Sequence, residues 1–249
     1  MTTDRKLTAR SVILSVLLGT EPPRLPTLLL VRTTELFGIA EGTTRTALSR
    51  MVAAGELATD GRRHAIADRR LVARQARQSA SRAGTTRPWD GSWQLAVVGS
   101  GGPRSRAERD EVRAALAGAR YAEQREGVWL RPDNLDARVA VPEIDRYSAR
   151  PDGDPRDLAA SLWDLDGWAR EADDLRARMR DLAPALEADD TGALAEGFVV
   201  SAGVLRLLQH DPLLPEALLP DDWPGGALRQ EYEDYDRAYR TVLQRWFGQ

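Results

Sequence analysis

Over the first 80 positions apolar residues recur at the three- and four-residue steps of amphipathic helices, in three runs separated by glycine and proline. Ala9–Leu18 places Val12, Ile13, Val16 and Leu17 on one face. Pro26–Phe37 repeats the pattern with Leu29, Leu30 and Leu36, Pro26 suiting an early helical position and Gly38 stopping the run. A third helix is predicted to begin after Glu41-Gly42, capped by Thr43, and to reach Ala54 before Gly55 ends it. Ala47, Leu48, Met51 and Val52 then face inward, which leaves Arg45, Thr46, Ser49 and Arg50 on the opposite side. Glu56–Ala67 predicts two short strands joined by an Asp60-Gly61 turn.

Further along the pattern changes. Trp93, Leu95 and Val97 alternate on a strand, Ser105–Ala117 is helical with Val112 and Leu116 inward, and Arg120–Glu123 and Val128–Arg131 frame a turn at Arg125-Glu-Gly127. A last strand is expected around Arg138–Val141. The resulting β-α-β-β-β order predicts a ferredoxin-like sandwich, with helices on one face of its sheet. From residue 157 the chain reads as helical throughout. Leu158, Leu162, Leu165, Ala169, Ala172, Leu175, Met179 and Leu182 mark one apolar stripe, and Leu194–Leu208 marks a second. Leu228, Tyr232, Tyr235, Tyr239, Val242 and Trp246 mark a third, read as a packing seam.

Composition breaks set the expected boundaries. Ser79–Pro88 lacks apolar periodicity and ends in proline, and Arg150-Pro-Asp-Gly-Asp-Pro155 precedes the helical stretch. The chain therefore divides into a winged-helix domain (1–78), a linker (79–88), a central domain (89–150) and a helical domain (151–249). The fold class is α+β and multidomain: a winged helix-turn-helix, a ferredoxin-like central domain and an all-helical C-terminal domain.

The net charge of −3 hides an asymmetry. Residues 1–86 carry 14 basic and 7 acidic side chains, residues 87–150 carry 11 and 10, and residues 151–249 carry 10 and 21. A basic head of +7 fits a polyanionic partner. The order helix–helix–helix–hairpin would present the exposed face of the third helix to a DNA major groove and the hairpin to the flanking backbone. The candidate DNA-contacting residues are Thr44, Arg45, Thr46, Ser49 and Arg50 on the helix, with Arg62, Arg63 and His64 on the wing. Arginines grip phosphates or the O6/N7 edge of guanine, and short hydroxyl side chains allow close approach.

Other chemistry is expected to be absent. With no cysteine and only His64 and His210 as histidines, the chain has no thiol nucleophile, disulfide or multi-histidine metal site. His210-Asp211 is a neighbouring pair that reads as a helix end followed by a turn. Gly99–Gly102 lacks the spacing of a phosphate-binding loop. No catalytic residue, metal site or cofactor is therefore assigned. Apolar stretches such as Ser11–Leu18 and Thr27–Val31 fall short of the ~20 residues that span a bilayer, so a cytoplasmic protein with no membrane contact is expected.

Several motifs together resemble the PaaX-type, or phenylacetate-degradation repressor, family. They are Arg45-Thr-Ala-Leu-Ser-Arg-Met-Val52 with Gly55-Glu-Leu57; Pro88-Trp-Asp-Gly-Ser-Trp93; Gly127-Val-Trp-Leu-Arg-Pro132; and Leu162-Trp-Asp-Leu-Asp166, taken with Asp211–Pro220 and Trp223-Pro-Gly225. The resemblance implies a cytoplasmic repressor with a winged helix, a central domain like that of Cas2 nucleases and a helical C-terminal domain. It further implies a homodimer on near-palindromic double-stranded operator DNA, released by a small-molecule effector such as phenylacetyl-CoA. Two positions depart from the pattern. The first strand runs into Gly99 where a Cas2-type nuclease carries a metal-binding acid, which argues against nuclease activity. Phe198–Leu208 is more apolar than in such relatives, which leaves the effector open among acyl-CoAs and aromatic acids and its binding residues unassigned. The alternatives are a winged-helix protein-interaction scaffold without specific DNA binding and, behind it, a Cas2-like nuclease.

Overall fold

The computed structural model describes residues 7–99, 105–136 and 144–248. The chain forms two compact units, the first of residues 1–79, 175–205 and 230–249 and the second of residues 80–174 and 206–229. These units cut across the contiguous boundaries drawn from composition, because each of the three long C-terminal helices contributes residues to both.

In the first unit, α1 (Ala9–Leu18) opens with a reciprocal capping box between Thr8 and Ser11. It is buried nearly all round: Val12, Ile13 and Leu17 are inaccessible, and Leu14 and Leu18 are buried as well. A short strand β1 (Arg24–Pro26) leads into α2 (Thr27–Glu35), and α3 follows at Glu41–Ala53. Helix α3 begins two residues before its expected cap. Ala40 stands at that end without a side-chain cap, and Glu41 puts a carboxylate in the first turn, where it favours the helix dipole. Gly55 adopts φ +73° just beyond the helix, a left-handed turn suited to glycine.

Strands β2 (Leu57–Thr59) and β3 (Arg63–Ile66) form the expected hairpin, and β1 pairs antiparallel with β3 on its other side, giving the order β1-β3-β2. The core joins Ile13, Leu17, Leu30, Leu48, Met51, Leu57 and Ile66. Truncating any of the large aliphatics here would cost about 2–5 kcal/mol. Helix α4 (Arg69–Ala83) then runs through the first half of the expected linker. Its inward positions include Gln75, Gln78 and Ser81, so apolar periodicity gave no sign of it; the Gln75 amide donates to the Thr20 carbonyl at 3.1 Å.

The C-terminal residues of this unit pack around an aromatic ladder. Tyr232, Tyr235 and Tyr239 stack with centroids 6.4 Å apart. The Tyr235 and Tyr239 hydroxyls donate to the Gly197 and Leu194 carbonyls at 3.1 and 3.2 Å. Burial pushes both phenols well above their ordinary range. Arg240 donates to the Gly19 carbonyl at 2.8 Å, and Arg32 lies 4.8 Å over the Trp246 ring, which fixes these helical residues to the winged helix.

In the second unit, β4 (Trp93–Val98), α5 (Arg106–Gly118), β5 (Ala122–Arg125), β6 (Val128–Pro132) and β7 (Ile144–Ala149) make an antiparallel sheet of order β5-β6-β4-β7. Counted from the first of these strands the order is 2-3-1-4, that of a ferredoxin-like sheet. The strand expected around Arg138–Val141 lies outside the described residues. Both faces of the sheet are covered, not one. Ala96, Trp129 and Tyr121 pack with Leu116 of α5. Trp93 and Leu130 pack on the other side with Ala159, Leu165, Leu214 and Leu218.

The stripe beginning at Leu158 is broken into α6 (Pro155–Leu162) and α7 (Leu165–Glu187), because Trp163 turns extended and Asp164 caps the second helix, accepting from the Gly167 amide at 2.8 Å. Helix α8 (Leu194–His210) and the preceding turn form a stretch, Thr191–His210, long and apolar enough by composition to cross a membrane. Ala193, Leu194, Phe198, Val200, Val204, Leu207 and Leu208 are instead buried within the protein. Asp211 then closes the helix as a buried carboxylate paired with Arg229 of α9 (Gly225–Gly248) at 2.7 Å.

Candidate nucleic-acid interface

The α2–α3 pair is a helix-turn-helix, and its orientation is pinned from inside. Thr44 Oγ1 lies 2.6 Å from Thr34 Oγ1, and both residues are fully buried. Leu48 and Met51 continue the same inward stripe one and two turns on. Thr44, grouped by sequence with the DNA-contacting residues, therefore belongs to the interior and is withdrawn from that set: no phosphate or base edge reaches a side chain with no accessible surface.

The opposite side of α3 presents Arg45, Thr46, Ser49 and Arg50, all exposed. Arg45 is held by Glu41 one turn earlier, its Nε donating to Oε1 at 2.6 Å, and its side chain remains exposed. The Thr46 and Ser49 hydroxyls donate to the Gly42 and Arg45 carbonyls at 2.8 and 3.0 Å and retain their acceptor lone pairs. Among the described residues the Arg50 guanidinium makes no ion pair.

The wing tip is organised by Asp60. Its Oδ1 accepts from the Arg62 and Arg63 amides at 2.9 and 2.8 Å, and its Oδ2 pairs with Arg24 of β1. The amides of Arg63 and Arg62, with a smaller contribution from Arg24, hold the Asp60 carboxyl down at about 2. Thr59 Oγ1 accepts from the Gly61 amide at 3.0 Å, and Gly61 takes φ +87°, as the tight turn requires. Arg62 and Arg63 project as exposed cations.

His64 departs from the sequence reading. It is 8 % exposed, and its Nδ1 lies 3.2 Å from Thr27 Oγ1. Burial lowers its pKa, so at neutral pH it is an uncharged interior side chain with no cation to offer a phosphate. The strand alternates, turning His64 and Ile66 inward and Arg63 outward.

Arg10 and Arg24 on the same unit were not singled out by sequence. Arg10 pairs with Glu56, 46 residues away, and Arg24 with Asp60, 36 residues away. No local pattern announces either pairing. Among the described residues no three His, Asp or Glu side chains are grouped so as to hold a metal ion.

A winged helix with an exposed arginine-bearing face on α3, a ferredoxin-like sheet and a helical C-terminal part define the class of multidomain winged-helix proteins. The chain matches the PaaX-like protein model over residues 8–66, the PaaX protein central Cas2-like domain over 86–150 and the PaaX-like protein C-terminal domain over 163–249. It belongs to the PaaX-like family. Its structure is similar to that of "Uncharacterized protein Rv0674 from Mycobacterium tuberculosis", at 40% sequence identity and a TM-score of 0.73, over 96% of this chain and 98% of that one. Comparison with curated proteins finds no match.

Proposed function

We propose that this protein is a sequence-specific DNA-binding repressor that acts on double-stranded operator DNA in the cytoplasm, with no membrane contact and no enzymatic activity. The observation that carries the reading is the exposed row Arg45, Thr46, Ser49 and Arg50 on a helix whose inner face is locked by Thr44, Leu48 and Met51. Such a helix meets DNA as a rigid body, so little ordering cost is incurred on binding. Arg62 and Arg63 on the wing would take the neighbouring backbone. The +7 charge of residues 1–86 supplies the long-range attraction, and the acidic C-terminal region disfavours contact elsewhere.

Membership of the PaaX-like family supports a homodimer on two half-sites, whose recognition helices would lie about 34–36 Å apart. It also supports release by a small-molecule effector, an aromatic acyl-CoA such as phenylacetyl-CoA or a related aromatic acid. That ligand must favour the DNA-incompetent conformer, since equal affinity for both would shift nothing.

The test is fluorescence anisotropy on a duplex selected by the wild-type protein from a random-sequence pool, against its scrambled counterpart, across a salt series. Preference for the selected duplex, with affinity falling steeply as salt rises, supports a specific regulator. Weak binding indifferent to both sequence and salt refutes it, and that is the behaviour expected of an interaction scaffold.

A further inference from the structure

Beside the recognition helix runs an open groove of about 450 Å³ between the start of α1 and the first half of α3, lined by Thr8, Arg10, Thr43, Thr46 and Arg50 among others. It carries a guanidinium from each helix. The Thr8–Ser11 capping box takes the Ser11 amide at the start of α1, and the full positive charges lining the groove are those of Arg10 and Arg50.

Arg10 is held in a defined way. Glu56 takes the side edge of its guanidinium, accepting from Nε at 3.0 Å and from Nη2 at 2.6 Å. A guanidinium has a second two-nitrogen edge, and the one formed by Nη1 and Nη2 remains available to another oxyanion. The Arg10 side chain is 55% exposed, whereas Glu56 is 20% exposed, so the carboxylate acts as a fixed anchor and the cation faces solvent. Two cations and the Thr43 side chain facing one open groove match the oxygens of a backbone phosphate.

We propose that Arg10 and Arg50 together clamp a DNA backbone phosphate in this groove, which extends the footprint from α3 to α1, with Glu56 acting as the intramolecular competitor that presets Arg10. The inference rests on the DNA-binding reading above. Arg10 contributes affinity without sequence preference, because a phosphate is common to every site. Glu56 orients the guanidinium but opposes the approaching phosphate, so its charge limits the affinity that Arg10 supplies.

The experiment is anisotropy of the full chain with the selected duplex and its scrambled counterpart, each across a salt series, for wild type, Arg10→Ala, Arg10→Lys and Glu56→Gln. Arg10→Ala is expected to weaken both duplexes by the same factor, about fivefold at 0.15 M salt, and to reduce the slope of log K against log salt by about 1. Arg10→Lys keeps the charge and is expected to keep the slope. Glu56→Gln retains an acceptor for Arg10 while removing the charge, and is expected to tighten both duplexes.

Far-ultraviolet circular dichroism and thermal melting establish that each variant is folded. If Arg10→Ala does not fold, Arg10→Lys and Glu56→Gln carry the test, and loss of slope in the first or unchanged affinity in the second overturns the clamp. Wild-type slope and affinity in folded Arg10→Ala overturn it as well. Failure of the wild-type protein to prefer its selected duplex is a different result, and it removes the DNA-binding reading itself.

Discussion

The hydroxyl of Thr44 meets that of Thr34 at 2.6 Å in the interior of the helix-turn-helix, and the next residue, Arg45, is exposed. One helical step of about 100° separates a side chain that sets the angle of α3 from one that can read what α3 approaches. Replacing Thr44 with valine keeps the shape and removes the hydroxyl. We expect a loss of about 1 kcal/mol by denaturant unfolding and unchanged affinity for the selected duplex at a temperature where the protein is folded. An affinity loss without a stability loss would return Thr44 to the contact set.

Arg50→Ala should leave the melting temperature within a degree or two of wild type, since the side chain makes no ion pair among the described residues. It should weaken the selected and the scrambled duplex by about the same factor, because the phosphate it clamps with Arg10 is common to both. Anisotropy on both duplexes gives the ratio directly. Equal losses on the two support the phosphate clamp, and a loss confined to the selected duplex would make Arg50 a base contact instead.

The wing predicts a distinct acid response. The Asp60 carboxyl titrates at about 2, below its ordinary 3.8, so its contribution to stability is present above pH 3.8 and is lost as pH falls through about 2. Asp60→Asn should therefore show a shallower loss of structure across pH 4 to 2 than wild type, followed by circular dichroism. Asparagine keeps an oxygen that accepts from the Arg62 and Arg63 amides, so binding to both duplexes should not weaken.

His64 acts at milder pH. Its folded pKa lies below the ordinary 6.5 because burial disfavours the imidazolium, so the unfolded chain binds more protons as pH falls below 6.5 and stability declines. Thermal melts at pH 7.5 and pH 5 should show this decline in wild type and a smaller one in His64→Gln. An identical pH dependence in the two proteins would place the titration elsewhere.

Gly197 is a packing requirement of the tyrosine ladder. A Cβ there would stand 2.8 Å from two ring carbons of Tyr239 and 3.1 Å from the Tyr235 hydroxyl. Gly197→Ala should destabilise the protein by about 1–3 kcal/mol in denaturant unfolding, although alanine is the better helix former.

Much of this molecule was legible from periodicity, and its omissions have physical causes. The outward row on α3 followed from the inward set Ala47, Leu48, Met51 and Val52. Thr44 sits four residues before Leu48 and seven before Met51, so the stripe itself marked it as interior; its polarity concealed that. His64 was equally marked by strand alternation with Ile66. Strand β1 is three residues long, too short for any period to register. Helix α4 was invisible to an apolar search because Gln75, Gln78 and Ser81 fill its inward stripe. The Arg10–Glu56 pair spans 46 positions and exists only once the chain has folded.

The small sheet of the wing has a further consequence for the protein at high concentration. Its two outer strands, β1 and β2, are each only three residues long, and β1 ends in Pro26, which has no amide to donate. A neighbouring chain seeking an edge to extend finds too few free backbone groups in register to form a ladder. The small sheet is thus poorly suited to templating aggregation, and the protein can carry an exposed hairpin tip without inviting its own copies to join it.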